Sequence, residues 1–376
     1  MNIPFNINVI LLFAFCVRVL AVIMMNVFDV GPQQWTDESS FYNYALDYLA
    51  VHSGSASQHQ INVIELISKS REFTISYFLS FLMSFFSESI IFCRMISVFF
   101  GVGAIFLIYR LTYMITNSSF LAKLSAIISA LFPALIVYSS MITREPFIVF
   151  FILLGLFMLF LHKENNNPRY IILYIGCIFI ENYMHGGVAI ALALVGFMYF
   201  GLSYKEQFIK ILPKFLIMLL ILIAADFTYL NNMQDFNLDF LFQEMGKRAS
   251  GNFAYTSDVN SLFSFIVSLP SLIFNFLIGF SFKLSLTSLV IMVNSLIWLA
   301  LLVVIYLFLP KLLVYSSKVR LLSLTAFFCV IIFSIGSANY GTALRHKSKF
   351  APLLIILATS SIAITNKKYF LNIRNF

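Results

Sequence analysis

Charge is what this 376-residue chain has least of: Asp, Glu, Lys and Arg make up 11% of it, against about 25% in an ordinary soluble domain. Cysteine is scarce as well. Cys16, Cys93, Cys177 and Cys329 all sit inside apolar runs, so neither a disulfide framework nor a zinc knuckle is readable. There is no P-loop, no glycine-rich dinucleotide fingerprint, no His-Glu-x-x-His zinc motif and no Gly-x-Ser-x-Gly elbow. Internal repeats and low-complexity tracts are also absent. In their place stand 61% hydrophobic residues, 44 Phe and a mean hydropathy of +0.93. A water-soluble globule, whose surface is largely polar, cannot bury so much. A cytosolic enzyme, a nucleic-acid binder and a disordered tail are therefore excluded. The net charge of +8 reports membrane orientation rather than a nucleic-acid partner.

Apolar runs of about 20 residues are long enough to cross ~30 Å of hydrocarbon as helices. They fall at about 7–28, 90–113, 121–140, 147–161, 170–184, 186–203, 212–230, 285–309, 319–337 and 349–366. The first carries Arg18 in its middle and has no basic leader or small-residue cleavage site, so it reads as an anchored helix. Two further stretches, 73–87 and 262–282, are ambiguous. If neither crosses and the N-terminus is cytoplasmic, every short cytoplasmic loop is basic, with thirteen Lys and Arg inside against ten outside. Both stretches are therefore expected to lie at the outer interface or to re-enter. The expectation is an all-α polytopic membrane protein of about 10 (10–12) transmembrane helices forming a single domain over 1–376. Outer-face surface helices would lie in a first outer loop at 29–72, and a second long outer loop spans 231–261. Loops on a rigid scaffold carry chemistry, which points to the outer face.

Three places there concentrate reactive side chains. In the first loop, Asp37-Glu38 precede Phe41, Tyr44, Ala45 and Tyr48, spaced as one face of an amphipathic helix. Asp37 can be an N-cap favoured by the helix dipole, or a carboxylate held outside the bilayer to deprotonate a hydroxyl. In the turn Ser139-Ser140-Met141-Ile142-Thr143-Arg144-Glu145-Pro146, Glu145 can cap the next helix while Arg144 snorkels. Alternatively, Glu145 faces a polar cavity, because an acid at bilayer depth is costly otherwise. The third is Arg345-His346-Lys347-Ser348-Lys349, a basic cluster that either snorkels to lipid phosphates or binds a lipid-linked phosphate or diphosphate. Glu181 and His185, spaced i, i+4, can ligate a divalent cation or simply satisfy each other. Arg94, at the start of a span, is a snorkeler or a second phosphate contact. His52 and His59 read as solvated, and Lys247-Arg248 as a contact to anionic saccharide or headgroups.

The order of these features resembles the membrane-embedded GT-C glycosyltransferases, above all the bacterial relatives of the protein O-mannosyltransferases and the lipid A aminoarabinose transferase. Asp37, Glu38 and Tyr42 match the first acidic motif of that family. Ser139, Ser140 and Glu145 match the second, although many members have Asp at the last position. The likeness covers residues 7–160, and 335–366 more loosely. It implies a sugar carried on a polyprenyl phosphate or diphosphate and transferred at the periplasmic face of a bacterial inner membrane. Asp37 would be the general base, with Glu38 and Glu145 shaping the site or a metal. Tyr42, Arg94, Arg144, Arg345, His346 and Lys347 would contact substrate or the lipid phosphate. No large soluble C-terminal domain, such as some members carry, is present, so a lipid-linked or glycan acceptor is expected over a protein. Cell-surface polysaccharide or glycolipid assembly fits such a transferase.

The expected reaction is a single displacement at the anomeric carbon. The carboxylate takes the acceptor proton while cations stabilise the departing phosphate. An O-antigen-type polymerase needs the same cationic site and is an alternative. A lipid-linked glycan transporter is another, although transporters usually place ionisable groups at the midplane and show repeats. A non-catalytic scaffold is the remaining one.

Overall fold

The structure, a computed structural model, describes residues 6–28, 35–68, 74–203, 262–278, 286–335, 337 and 340–365. Among these residues it is an all-α polytopic membrane fold. In chain order the helices are α1 (Ile7–Phe28), α2 (Trp35–Ser53), α3 (Gln58–Ser68), α4 (Thr74–Phe85), α5 (Ile90–Thr116), α6 (Ser119–Leu131) and α7 (Pro133–Ser139). They continue as α8 (Glu145–Asn165), α9 (Pro168–Met184), α10 (Gly186–Ser203), α11 (Leu262–Ile278), α12 (Leu286–Tyr315), α13 (Ser317–Ile335) and α14 (Tyr340–Thr365). Four of them are long and apolar enough to cross a membrane, or five if the bent pair α6–α7 is one span. The expected span at 212–230, the loop at 231–261 and Lys247-Arg248 lie outside the described residues.

Local chemistry sets the breaks. Ser89, Ser118 and Asn167 cap α5, α6 and α9 by accepting from the amides of Ile91, Leu121 and Arg169. Asn117 and Asn166, at φ 48° and 50°, end α5 and α8 in the left-handed region that Asn tolerates better than most residues. Within the run expected as one span at 121–140, Pro133 starts a new helix, and α7 departs from α6 by 62°. Proline has no N–H to continue the ladder and its ring clashes with the preceding turn.

Packing follows the polar exceptions as much as the apolar faces. Arg18, buried in the middle of α1, donates from Nε to Ser139 Oγ at 2.8 Å and from Nη1 to the Ala14 carbonyl at 3.1 Å. Those bonds are what lets a charge sit inside a span. Gly101 on α5 makes room for them: a Cβ there would lie 2.5 Å from Ser139 Cβ and 3.3 Å from Arg18 Nε.

The surface helices behave as their patterns require. Phe41, Ala45 and Tyr48 of α2 are buried, as are Ile75, Leu79 and Met83 of α4, and the two helices pack together. Tyr77, Phe81 and Phe85 remain exposed. At 12 residues, α4 is about 18 Å long, too short to span. The other ambiguous stretch forms α11, which packs on α12, α13 and α14. At the opposite end of the bundle from α2, Lys318 pairs with Glu164 and donates to the Met114 carbonyl at 3.1 Å.

Candidate active site

Asp37 and Glu38 both occupy the first turn of α2. Neighbours on a helix point about 100° apart, and the two carboxylates go to different places. Glu38, 2% exposed, accepts a fork from Arg94, Nε at 2.8 Å and Nη2 at 3.0 Å. Its Oε1 also accepts the Ile142 amide at 3.0 Å. This fixes the start of α2 to α5 and to the turn that leads into α8. Tyr42 adds a second tie, its hydroxyl donating to the Glu88 carbonyl at 2.7 Å. Burial, then the nearby Cys93 and Glu88, push this phenol above its ordinary pKa, so it stays a neutral donor.

Held in this way, Asp37 meets Arg345 of α14 in an ion pair through Nη1. The same guanidinium donates from Nε to Glu145 Oε1 at 2.6 Å. Lys349, one turn further along α14, brings Nζ to 3.5 Å from that oxygen. Three segments far apart in sequence thus converge at one end of the bundle. Glu145 opens α8 rather than capping it, and is 1% exposed, whereas the Asp37 side chain is 44% exposed. Arg345 Nη2 and Glu145 Oε2 are buried without hydrogen-bond partners. Arg144 donates from Nη1 to the Met184 carbonyl at 3.0 Å and lies 5.9 Å from the centre of the Phe41 ring. A small, mainly apolar cleft adjoins Glu145, lined also by Tyr138, Ser348, Pro352, Ile105 and Arg18.

The basic cluster proves to be helical, since α14 begins at Tyr340. Its cations therefore divide. Arg345 and Lys349, four apart, share the face toward Glu145, whereas Lys347 lies 5.8 Å from the Trp298 ring centre and 6.0 Å from that of Phe276. His346 stacks on Phe333 at 4.8 Å, with its Nδ1 3.0 Å from Lys349 Nζ. Lys349 was legible as a member of the basic cluster, but not as the cation that joins Arg345 at Glu145. Its i, i+4 relation to Arg345 was visible, but only within a helix does that spacing mean a shared face.

The donor set does not fit a divalent ion at the paired carboxylates, because Glu38 and Glu145 are each already faced by cations. Glu181 and His185 sit one turn apart, with both Glu181 oxygens and His185 Nδ1 unpartnered. Among the described residues, no group of three His, Cys, Asp or Glu is arranged to hold a metal. Comparison with known protein families matches residues 8–202, just over half of the chain, to dolichyl-phosphate-mannose-protein mannosyltransferase. No curated protein and no solved structure matches.

Proposed function

Because the chain belongs to the dolichyl-phosphate-mannose-protein mannosyltransferase family, a GT-C family of membrane glycosyltransferases, we propose that it transfers a sugar from a polyprenyl phosphate at the outer face of the membrane. The observation that carries this is Arg345, bridging Asp37 and Glu145 with Nη2 left without a partner. A buried donor in want of an acceptor costs roughly 1–3 kcal/mol, and a phosphate oxygen would supply it. Arg144, Arg345 and Lys349 face two carboxylates, Asp37 and Glu145, an excess of one positive charge that suits the single negative charge of a phosphodiester.

In this reading the acceptor hydroxyl attacks the anomeric carbon as the bond to the phosphate oxygen breaks. Asp37, the more exposed carboxylate, takes the hydroxyl proton. The departing lipid phosphate gathers its charge against Arg345. A phosphate that draws Arg345 toward itself also loosens the Asp37 pair and restores basicity to that carboxylate. Glu38, Arg94 and Tyr42 position Asp37 rather than touching the sugar. The acceptor is a lipid-linked or free glycan of cell-surface polysaccharide or glycolipid assembly.

The test is transfer from a radiolabelled sugar on polyprenyl monophosphate by purified protein in lipid. Asp37→Asn is expected to abolish transfer, with expression and thermal stability unchanged. Full activity in that variant removes Asp37 as the base. Transfer only from a diphosphate-linked oligosaccharide would instead identify a polymerase.

A further inference from the structure

On the far face of α14 from Arg345, a second group of polar side chains lies buried. Lys347 is 3% exposed and packs between Trp298 of α12 and Phe276 of α11. It makes no hydrogen bond or ion pair with any described residue. Trp298 is fully buried and its indole Nε1 has no acceptor. Asn294 stands one helical turn before Trp298 on the same face of α12, also fully buried, with both amide atoms unpartnered. Phe350 closes the group against Trp298 and Phe276, at 5.1 and 5.9 Å between ring centres.

Three donor-bearing groups, one of them charged, do not sit in an apolar bundle for packing alone. An ammonium away from water calls for an anion, and the unmet indole and amide donors can bond to the same anion. The set comprises an ammonium, an indole N–H and an amide NH2, and that is the chemistry of a phosphate site. The surroundings say how the phosphate arrives. Met292, Val293 and Leu296, which alternate along α12 with the buried Asn294 and Ser295, are exposed apolar side chains, as is Phe274 on α11. On a polytopic membrane protein such a surface faces lipid, so the approach is sideways from the bilayer. Lys347 lies seven residues into α14, about 10 Å from its start.

We propose that Lys347, Trp298 and Asn294 form a second phosphate site, separated from the Arg345 site by α14 and occupied by the phosphate of the polyprenyl-linked acceptor. All three residues lie beyond the family match, which ends at residue 202. The assignment of the site to the acceptor rests on the transferase reading above; the binding of a second lipid phosphate does not.

Native mass spectrometry of the full-length protein, released from phosphatidylcholine nanodiscs loaded with undecaprenyl phosphate, reads the number of lipids retained. The wild type and the inactive Asp37→Asn variant are expected to keep two. Lys347→Met and Trp298→Phe, which retains the ring and removes only the N–H, are expected to keep one at the same loading. Loss of one charge-assisted hydrogen bond weakens the second binding event on the order of tenfold or more. Lys347→Arg keeps two, and Arg345→Met keeps one by emptying the other site. A single lipid in the wild type overturns the proposal, as does a second lipid bound equally well by Lys347→Met and Trp298→Phe. Displacement of the second lipid by phosphatidylglycerol also overturns it, because the occupant is then a bulk phospholipid. Should Lys347→Met fail to fold, Trp298→Phe decides alone. Failure here with intact transfer by the wild type leaves the Asp37 site standing.

Discussion

Glu38 lies one residue from Asp37, yet the two carboxylates have different work. Both were legible as an acidic pair in the first loop. Their division was not, because the cation that occupies Glu38 is Arg94, 56 residues further on. Since Glu38 and Arg94 are both nearly inaccessible to water, each depends on the other. Removing one partner of a buried pair strands a charge and typically costs about 3–5 kcal/mol, whereas replacing both with apolar residues is often close to neutral. Glu38→Ala and Arg94→Ala are each expected to lower the thermal midpoint in detergent and to reduce activity through misplacement of Asp37. The double variant Glu38→Leu, Arg94→Met should regain most of the midpoint and little of the activity. Equal stability of all four proteins would show that the pair anchors nothing. Arg345 and Lys347 make the same point in reverse. Read as a loop they form one cluster, and the 100° step of a helix sends them to two different places.

At the level of helices, the long apolar runs and the aromatic face of α2 could be read directly, because burial against lipid or a neighbour imposes a period on the residues. The bend between α6 and α7 could be suspected from Pro133 alone. What the bend accomplishes could not, since it depends on α1 and α5 arriving at the same spot. Ser139, at the end of α7, reaches Arg18 only because Gly101 leaves the space empty. Gly101→Ala would place a methyl 2.5 Å from Ser139 Cβ, a clash with an atom fixed to the backbone rather than with a flexible tip. Overpacking of this kind costs about 1–3 kcal/mol, and α7 carries the chain directly to Arg144 and Glu145. The expected outcome is a lowered melting temperature together with reduced transfer. Gly176 is the control: a Cβ there meets nothing within 4 Å, so Gly176→Ala should melt at or slightly above the wild-type temperature. If the two substitutions behave alike, close packing at Gly101 is not what positions the turn.

Across the whole molecule, the two ends of the bundle differ in how their charges are arranged. One end gathers Asp37, Glu145, Arg345 and Lys349 around buried atoms without partners. The other carries Lys163, Arg169, Lys318 and Arg320 at helix ends beside short connections, with Glu164 paired to Lys318. Basic residues in short loops mark the cytoplasmic side, because Lys and Arg resist translocation. In the proposed transferase the Arg345 end is the outward one, where a lipid-linked sugar would be used after crossing the membrane. Impermeant maleimide reads this orientation. Ser55, exposed just beyond α2, and Asn165, exposed at the end of α8, mark the two ends. Cys93, Cys177 and Cys329 are buried. Cys16 is exposed on the side of α1, in a span whose surface lipid covers, away from a membrane-impermeant reagent. Intact cells carrying Ser55→Cys are expected to label, whereas Asn165→Cys labels only after permeabilisation. The opposite pattern would put the carboxylates and Arg345 in the cytoplasm, where the outward-facing transfer could not take place.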